Sequence, residues 1–190
     1  MKEKKLIHQW IKKVEFLNRP DETLYKHRST DILYTKWMSQ YVLKYIHFKF
    51  HEKVLCIGCH GGKWVSDIDK QVNIKGFILD QSIRLLQHAM HLYPHFNYDI
   101  SNYQLSYKNR KFHKVIINQP FESFYEQQLL LTELERVLKK KGSIILFQRK
   151  SFILSKQNLS QLIEHTNLEI IQSTAYKNMV VYELKHKIKQ

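Results

Sequence analysis

A glycine-rich turn between a buried strand and a helix is the feature that most limits how this chain can fold. The apolar run Val54–Ile57 predicts a short buried strand. Three of the five glycines in the chain follow within Gly58–Gly62, and Trp64, Val65 and Ile68 then predict a helix. Glycine lets the backbone turn tightly and lets a ligand approach it, and a helix N-terminus offers free N–H groups. The pattern therefore predicts a site for a phosphate or nucleotide group.

Strands and helices alternate over the rest of the chain, which predicts an α/β fold with a mostly parallel sheet covered by helices on both faces. Two β-rich runs, Leu168–Ile171 and Val180–Leu184, flank a short turn and predict a C-terminal hairpin. The other strands are predicted at Lys75–Asp80, Phe96–Ile100, Val115–Ile117 and Ser143–Phe147, with Gly142 opening the last, and the helices at Lys63–Lys70, Ser82–Tyr93, Ser123–Lys139 and Lys156–His165.

The first 50 residues predict an N-terminal helical extension in front of one domain of residues 51–190. A first helix is expected at Leu6–Leu17, and a longer amphipathic helix follows the N-cap candidates Ser29–Asp31. The aromatic stripe of this second helix contains Trp37 and Tyr41. Such a stripe is typical of a core face, and it is also compatible with one wall of a substrate pocket.

The formal charge of +14 is compatible with polyanionic partners such as RNA or DNA. Seven lysines or arginines and no acid lie within Arg136–Lys156. A solvated lysine-rich surface explains the same charge, so both interpretations stay open.

Several classes of protein and site are not favoured by the sequence. No apolar run approaches the roughly 18 residues of a membrane span, and no signal-peptide core follows the charged N-terminus. We therefore expect a cytoplasmic protein with no transmembrane segment. Cys56 and Cys59 are spaced C-x-x-C, but Cys56 lies in a predicted buried strand and no second such pair exists. Neither a redox site nor a metal site is predicted.

The polar residues that follow the predicted strands mark the expected site. In an open parallel sheet, ligands bind beyond the carboxyl ends of the strands. The Gly58–Gly62 turn, Asp80, Asp99 and Asn118 stand at those ends. Asp80 lies about 20 residues beyond the glycine turn, the spacing at which a second-strand acid reaches the ribose of a nucleotide bound at the first strand.

At these residues the chain resembles the class I S-adenosylmethionine-dependent methyltransferases, especially the small-molecule branch typified by the ubiquinone and menaquinone enzymes. The resemblance runs from about Lys53 to Leu184 and implies a Rossmann-like, seven-stranded sheet in which the last hairpin supplies the antiparallel strand. It also implies S-adenosylmethionine as the cofactor. Five motifs in the order of the family carry it: Val54–Gly62, Ile78–Ser82, Tyr98–Ile100, Phe112–Asn118 and Leu134–Ser143.

The resemblance implies a role for each residue at the strand ends. The turn is expected to pass under the methionine part of the cofactor, and two acids are expected to hold the ribose and the adenine amino group. The implied residues are Gly58, Cys59, His60 and Gly62 in the turn, Asp80 at the ribose, Gln81, Asp99 and Ile100 at the adenine, and Asn118 beside the transferable methyl group.

The first motif is degenerate compared with that of the family. Cys56 stands where the family usually has an acid, and His60 replaces the middle glycine of the turn. Gln81 replaces an apolar residue that usually packs on adenine. These departures keep open a methyltransferase fold that serves as a non-catalytic binding protein.

The segment Asn118–Phe121 supports a further alternative. It reads Asn-Gln-Pro-Phe and resembles the Asn-Pro-Pro-aromatic motif of enzymes that methylate amino groups of bases or glutamine, in which the ring, here Phe121, stacks on a planar substrate. With the basic charge, this motif favours a nucleic-acid or protein substrate. The rest of the resemblance favours a small-molecule acceptor, and a strand-end turn containing a proline explains the same residues. The sequence predicts neither a catalytic residue nor an oligomeric state.

Overall fold

The computed structural model describes residues 28–58, 60–100, 104–118, 124–149 and 156–188. The helix predicted at Leu6–Leu17 lies outside these residues. The elements in chain order are α1 (Arg28–Tyr45), β1 (Lys53–Ile57), a 3-10 turn (His60–Gly62), α2 (Lys63–Val72), β2 (Lys75–Asp80), α3 (Ile83–Leu92), β3 (Asn97–Ile100), β4 (Phe112–Asn118), α4 (Phe124–Val137), β5 (Leu138–Arg149), α5 (Lys156–Ile163), β6 (Leu168–Tyr176) and β7 (Met179–His186).

The seven strands form one sheet in the order β3-β2-β1-β4-β5-β7-β6. Strands β1 to β5 pair in parallel, and β7 runs antiparallel between β5 and β6. The predicted Rossmann-like α/β fold with a C-terminal hairpin is therefore confirmed. The strand order reverses between β1 and β4, which makes the carboxyl ends of these two strands the point where a crevice opens.

Two boundaries differ from the prediction for one physical reason. The prediction that Gly142 opens β5 is wrong, because β5 begins at Leu138 and the glycine lies in its interior. Leu138 pairs with Phe112 across an irregularity in the register, so both β4 and β5 extend further toward their N-terminal ends than their apolar cores indicate. Helix α4 consequently ends at Val137, two residues before the predicted end.

Side chains alternate between two faces of the sheet, and a different set of helices covers each. We call the face covered by α1, α2 and α3 the first face, and the face covered by α4 and α5 the second face. On the second face, Leu134 and Leu162 join one buried cluster with Leu55, Leu79 and Leu146.

Helices α1, α2 and α3 lie on the first face. There Tyr41 of α1 packs on Phe147 of β5, and the hydroxyl of Tyr98 in β3 donates to a carbonyl oxygen of α3. Helix α2 buries Trp64, Val65 and Ile68 completely.

The described residues from Tyr34 onward belong to one compact unit. The predicted division between residues 50 and 51 stays a prediction. None of the helices in the described ranges is long and apolar enough to cross a membrane.

Candidate functional site

The residues predicted at the strand ends meet at one edge of the sheet. Ile57, the last residue of β1, pairs with Leu79 of β2 and with Ile117 of β4. Leu79 in turn pairs with Asp99 of β3. Because these four strands are parallel, the residues that follow each of them lie side by side. The Gly58–Gly62 turn therefore sits at the centre of the edge, between the ends of β2 and β4.

Hydrogen bonds to both neighbouring strands hold the start of the glycine turn. The Gly58 N–H donates to the carbonyl oxygen of Leu79 at 3.0 Å. The carbonyl oxygen of Gly58 accepts from Nδ2 of Asn118 at 3.2 Å. Asn118 is 2% exposed. Asn118 therefore anchors the turn to the end of β4, a contact that sequence analysis did not anticipate.

The end of the turn needs glycine for its backbone conformation. Gly61 has φ of 78° and Gly62 has φ of 79°, in the left-handed region that costs other residues energy. A Cβ atom on Gly62 would also lie 3.2 Å from the ring of Tyr93. Helix α2 starts directly after Gly62 without a side-chain cap. The backbone of His60 belongs to the 3-10 turn.

A buried cysteine occupies the position where the family usually has an acid. Cys56 lies in β1 and is 0% exposed. Cys59, the other cysteine of the motif, lies outside the described residues. Among the residues that the structure describes, no group of three or more His, Cys, Asp and Glu side chains could hold a metal ion.

Asp80 ends β2 as a buried carboxylate, 9% exposed. Its Oδ1 accepts from the Ser82 N–H at 2.9 Å. Ser82 is the N-cap of α3, because its Oγ accepts from the Leu85 N–H at 3.3 Å. The link between β2 and α3 therefore holds the carboxylate at the edge of the sheet. Gln81, which follows Asp80, is exposed.

Asp99 lies on β3, on the opposite face from Tyr98. The Tyr98 hydroxyl donates to carbonyl oxygens of Ala89 and Tyr93 on the α3 side, so alternation places Asp99 on the second face. Asp99 Oδ1 accepts from the Ile100 N–H at 2.9 Å. Burial raises the pKa of Asp99 above its ordinary 3.8, against the effects of that hydrogen bond and of the nearby Lys111 charge. Ile100 is half-buried beside it.

Lys111 is enclosed by an aromatic box, which we define as Phe77, Tyr107 and Phe112. Its Nζ lies 3.9 Å from the centroid of Phe77, 4.1 Å from that of Tyr107 and 5.2 Å from that of Phe112. Burial and the charge of Lys53 lower the pKa of Lys111, and the charge of Asp99 raises it. Sequence analysis missed this box. Tyr107, Lys111 and Phe112 are close in sequence, and their spacing is the only part of the box that a sequence pattern could indicate. Phe77 lies 30 residues before Tyr107, so its place in the box has no local signal.

A second feature that the sequence did not reveal holds the loop that carries the box. Arg136 of α4 donates from Nε and Nη2 to the Glu133 carboxylate at 2.8 and 2.7 Å. It also donates to the carbonyl oxygens of Leu105 and Tyr107 at 2.9 and 2.7 Å, and to Oδ1 of Asn109 at 2.8 Å. Glu133 accepts from the Leu105 N–H at 2.9 Å. We call Arg136 and Glu133 the loop clamp.

The predicted substrate residues have different environments. Tyr41 is 6% exposed and packs edge-on against Phe147 and Tyr176, with centroid distances of 5.6 and 5.2 Å. Trp37 is half-buried. Phe121 lies outside the described residues.

Tyr41 also lines a cleft of about 270 Å³ between the end of α1 and the C-terminal hairpin. Its other walls include Tyr45, Tyr176 and Glu183. The aromatic stripe of α1 is therefore partly core and partly pocket wall.

Residues 55–146 match the family model of a methyltransferase domain. This range contains β2 to β4 and most of β1 and β5, so it includes every residue of the edge described above. No curated protein matches the chain.

Solved structures share the fold at low sequence identity. The chain is similar to a TehB-like S-adenosylmethionine-dependent methyltransferase from Corynebacterium glutamicum, with 14% identity, a TM-score of 0.69 and coverage of 87% of this chain and 97% of that one. It is also similar to a Haloferax volcanii methyltransferase solved with the Trm112 methyltransferase activator, with 13% identity, a TM-score of 0.72 and coverage of 90% and 98%.

A third neighbour is the [4+2]-cyclase SpnF, with 11% identity, a TM-score of 0.65 and coverage of 80% of each chain. At such identities the likeness shows the fold alone. Because one neighbour is a cyclase, the acceptor has to be argued from the site itself.

Proposed function

We propose that this chain, a class I S-adenosylmethionine-dependent methyltransferase by its domain at residues 55–146, transfers the methyl group of S-adenosylmethionine to a small-molecule acceptor. One observation carries the proposal. A glycine turn, a buried carboxylate and a second carboxylate lie at the carboxyl ends of the adjacent strands β1, β2 and β3. In this order the groups are suited to bind the methionine part, the ribose and the adenine of S-adenosylmethionine.

The residues present fit the cofactor in three respects. The left-handed backbone at Gly61 and Gly62, where a Cβ would point toward α3, lets the turn bend sharply between β1 and α2. Asp80 presents a carboxylate that can accept from both ribose hydroxyls. Asp99 lies one strand further out, where we expect it to accept from the adenine amino group, with Ile100 against the ring.

S-adenosylmethionine supplies a methyl group that its positively charged sulfur has already activated, so the protein mainly has to bind and orient. In our proposal the glycine turn and the two carboxylates fix the cofactor along the edge. Asn118 contributes by holding the turn through the carbonyl oxygen of Gly58. We assign no catalytic base.

The cleft beside α1 supports a small acceptor. Its volume of about 270 Å³ is slightly below the usual size of a ligand pocket, which leaves room only for a small acceptor. One of its walls, Tyr41, contacts Phe147, and Phe147 pairs with Asn118 at the end of β4. Tyr41 therefore connects the cleft to Phe147, the strand partner of Asn118 at the edge where the transferable methyl group is expected. We accordingly propose that Tyr41 and Trp37 belong to the acceptor side of the site, and that the reaction takes place in the cytoplasm.

The basic residues that favour a polyanion are partly engaged inside the protein. Arg136 belongs to the loop clamp, and Lys139 Nζ lies 2.7 Å from Nε2 of His113. Lys111 is held in the aromatic box. These three residues therefore have structural roles, and their presence alone is no argument for a polyanionic substrate.

A nucleic-acid or protein amino group remains the second candidate, favoured by the orientation of Asn118. Nδ2 of Asn118 donates to Gly58, so in this candidate function its Oδ1 is the atom that would accept a hydrogen from a target amino group. The neighbouring residues 119–121, which complete the motif, lie outside the described residues.

Calorimetric titration with S-adenosylmethionine and S-adenosylhomocysteine tests cofactor binding. We expect binding by the wild type and a loss of about 10- to 100-fold in D80N, the scale of one or two hydrogen bonds to a charged group. Asparagine keeps an acceptor for the Ser82 N–H, so the strand end should hold. The matched control E164Q removes an exposed carboxylate in the turn after α5 and should bind like the wild type.

Transfer of a labelled methyl group into a cell extract separates the two acceptor classes. Label in the low-mass fraction supports the proposal. Label that disappears from the high-mass fraction after ribonuclease or protease treatment would overturn it in favour of the second candidate. No heat with either ligand, and no change in melting temperature at millimolar concentration, would exclude cofactor binding altogether.

A further inference from the structure

We propose that Lys111 is a positioning residue for cofactor binding, because the aromatic box holds its ammonium group on the face of the sheet where the Asp99 carboxylate lies, and this charge keeps Asp99 ready to accept from the adenine amino group. The inference rests on the proposed function, in which Asp99 contacts the adenine. Lys111 itself touches neither cofactor nor acceptor in this proposal, since it acts through Asp99.

Strand register places the two charges on the same face. Phe77 pairs with Asn97, and Leu79 pairs with Asp99, so the side chains of Phe77 and Asp99 project from the second face of neighbouring strands. The Lys111 Nζ lies over the ring of Phe77 at 3.9 Å. The ammonium group is therefore held over β2, one strand away from β3, which carries the carboxylate.

The box restricts where the lysine can go. Its three rings stand nearly perpendicular to one another, with interplanar angles of 80° for Phe77 and Tyr107, 76° for Phe77 and Phe112, and 85° for Tyr107 and Phe112. The faces of aromatic rings attract cations, most strongly where water is excluded. A surface lysine would sample many positions, whereas this one is confined.

Several groups act on the pair, in opposing directions. Burial raises the pKa of Asp99, and the Ile100 N–H and Lys111 are the groups that oppose this effect. Another ionisable neighbour is Tyr107, whose pKa is raised by burial and by the charge of Asp99. Tyr107 is consequently a neutral hydroxyl at physiological pH. Lys53 at the start of β1 also acts on Lys111, where it favours the neutral amine.

The loop clamp holds the box independently of Lys111. Arg136 binds the carbonyl oxygens of Leu105 and Tyr107, and the backbone N–H of Lys111 donates to the carbonyl oxygen of Val137 at 2.8 Å. None of these bonds uses the lysine side chain. Replacing that side chain should therefore change the charge next to Asp99 while the loop stays in place.

The test uses K111M, which fills the box without a charge, and K111R, which restores the charge. K108M is the matched control, because Lys108 is an exposed lysine of the same loop. The first measurement is an NMR titration of the Asp99 side-chain carboxyl in the protein without cofactor. We expect the midpoint to move to higher pH in K111M and to stay at the wild-type position in K111R and K108M. An unchanged midpoint in K111M overturns the proposal.

The second measurement is the affinity for S-adenosylmethionine as a function of pH. An opposite charge within about 4–6 Å of a carboxyl group changes its protonation equilibrium by about tenfold or more, and Lys111 is the smallest of the three effects on Asp99. We therefore expect affinity in K111M to begin its acid-side decline at higher pH than in the wild type, with a loss of at most about tenfold between the two profiles in that range. In a D99N background, K111M should cause no further shift.

The outcomes separate this inference from the proposed function. A uniform loss of affinity at every pH in K111M, with a lowered melting temperature, means that the lysine has only a structural role and overturns the inference. Absence of binding by the wild type at every pH overturns the proposed function, and the NMR titration then still decides whether Lys111 controls Asp99.

Discussion

Replacement of Arg136 by methionine should release the loop between β3 and β4 from helix α4. The substitution keeps a long apolar stem but removes five hydrogen bonds from one guanidinium group. Two of them go to Glu133 and three to Leu105, Tyr107 and Asn109. The main-chain bonds from the N–H groups of residues 110 and 111 to the last residues of α4 do not depend on this side chain and should remain.

The expected cost follows from the kind of bond and from its exposure. Hydrogen bonds to charged groups contribute about 1.5–3 kcal/mol each when considered singly. They share one side chain here, and the Arg136 and Glu133 side chains are 31% and 19% exposed, so solvent screens part of the ion pair. We therefore expect R136M to lower the free energy of unfolding by about 3 kcal/mol in total. R136K should lower it by about 2 kcal/mol, because lysine cannot bind a carboxylate and two carbonyl oxygens with a planar fork.

Urea denaturation measures this change, and hydrogen exchange locates it. A loss of about 3 kcal/mol corresponds to roughly 6–12 °C in melting temperature for a chain of this size. The Leu105 amide, which donates to Glu133, should exchange faster in R136M. K140M is the control, because Lys140 is an exposed lysine just beyond α4. If R136M unfolds within about 0.5 kcal/mol of the wild type, as ordinary surface substitutions do, and Leu105 exchange is unchanged, the loop clamp does not hold the loop.

Two further predictions concern the same part of the molecule. G142A should destabilise the protein by about 1–3 kcal/mol in urea denaturation, because the added Cβ would lie 2.7 Å from Cδ1 of Leu138 and 2.8 Å from the carbonyl oxygen of His113; full wild-type stability would contradict the close approach. Stability should fall as the pH drops below 4.5, because hydrogen bonds from Arg136 hold the pKa of Glu133 below that ordinary value, so that its stabilising contribution is complete above pH 4.5 and is lost as the carboxylate is protonated. E133Q should flatten this part of the stability profile, and equal acid sensitivity in E133Q and wild type would assign it to other carboxylates.

The order of strands and helices could be predicted because each element carries its own periodic signal. The run Val54–Ile57 is apolar throughout, as a strand covered on both faces must be. Ser82 precedes α3 with the side chain that an N-cap needs, and the structure places it there. The start of β5 was missed because Leu138 belongs to the apolar pattern of α4 as well, and only its pairing with Phe112 assigns it to the sheet.

The loop clamp and the aromatic box have no comparable signal in the sequence. Arg136 falls within a run of basic residues, and its linear context does not distinguish a solvated arginine from one that binds two loop carbonyl oxygens. Phe77 meets Lys111 only after the chain has crossed from β2 through α3 and β3. Contacts of this kind depend on which face a side chain occupies, and a one-residue change of register would remove them.

The short connection between β3 and β4 explains why these devices belong together. It crosses the second face beneath β2 and β1, and its described part, residues 104–111, contains no helix. A crossover between parallel strands usually carries a helix that buries the sheet beneath it. Here Leu105 and the aromatic box bury this part of the sheet in place of a helix. The loop clamp holds the loop in position. Since Tyr107 is one wall of the box around Lys111, loss of the clamp on Tyr107 should loosen the lysine side chain and weaken cofactor binding as well as the fold. R136M should therefore move the pH profile of S-adenosylmethionine binding in the same direction as K111M, whereas G142A, at an equal loss of stability, should leave that profile in place.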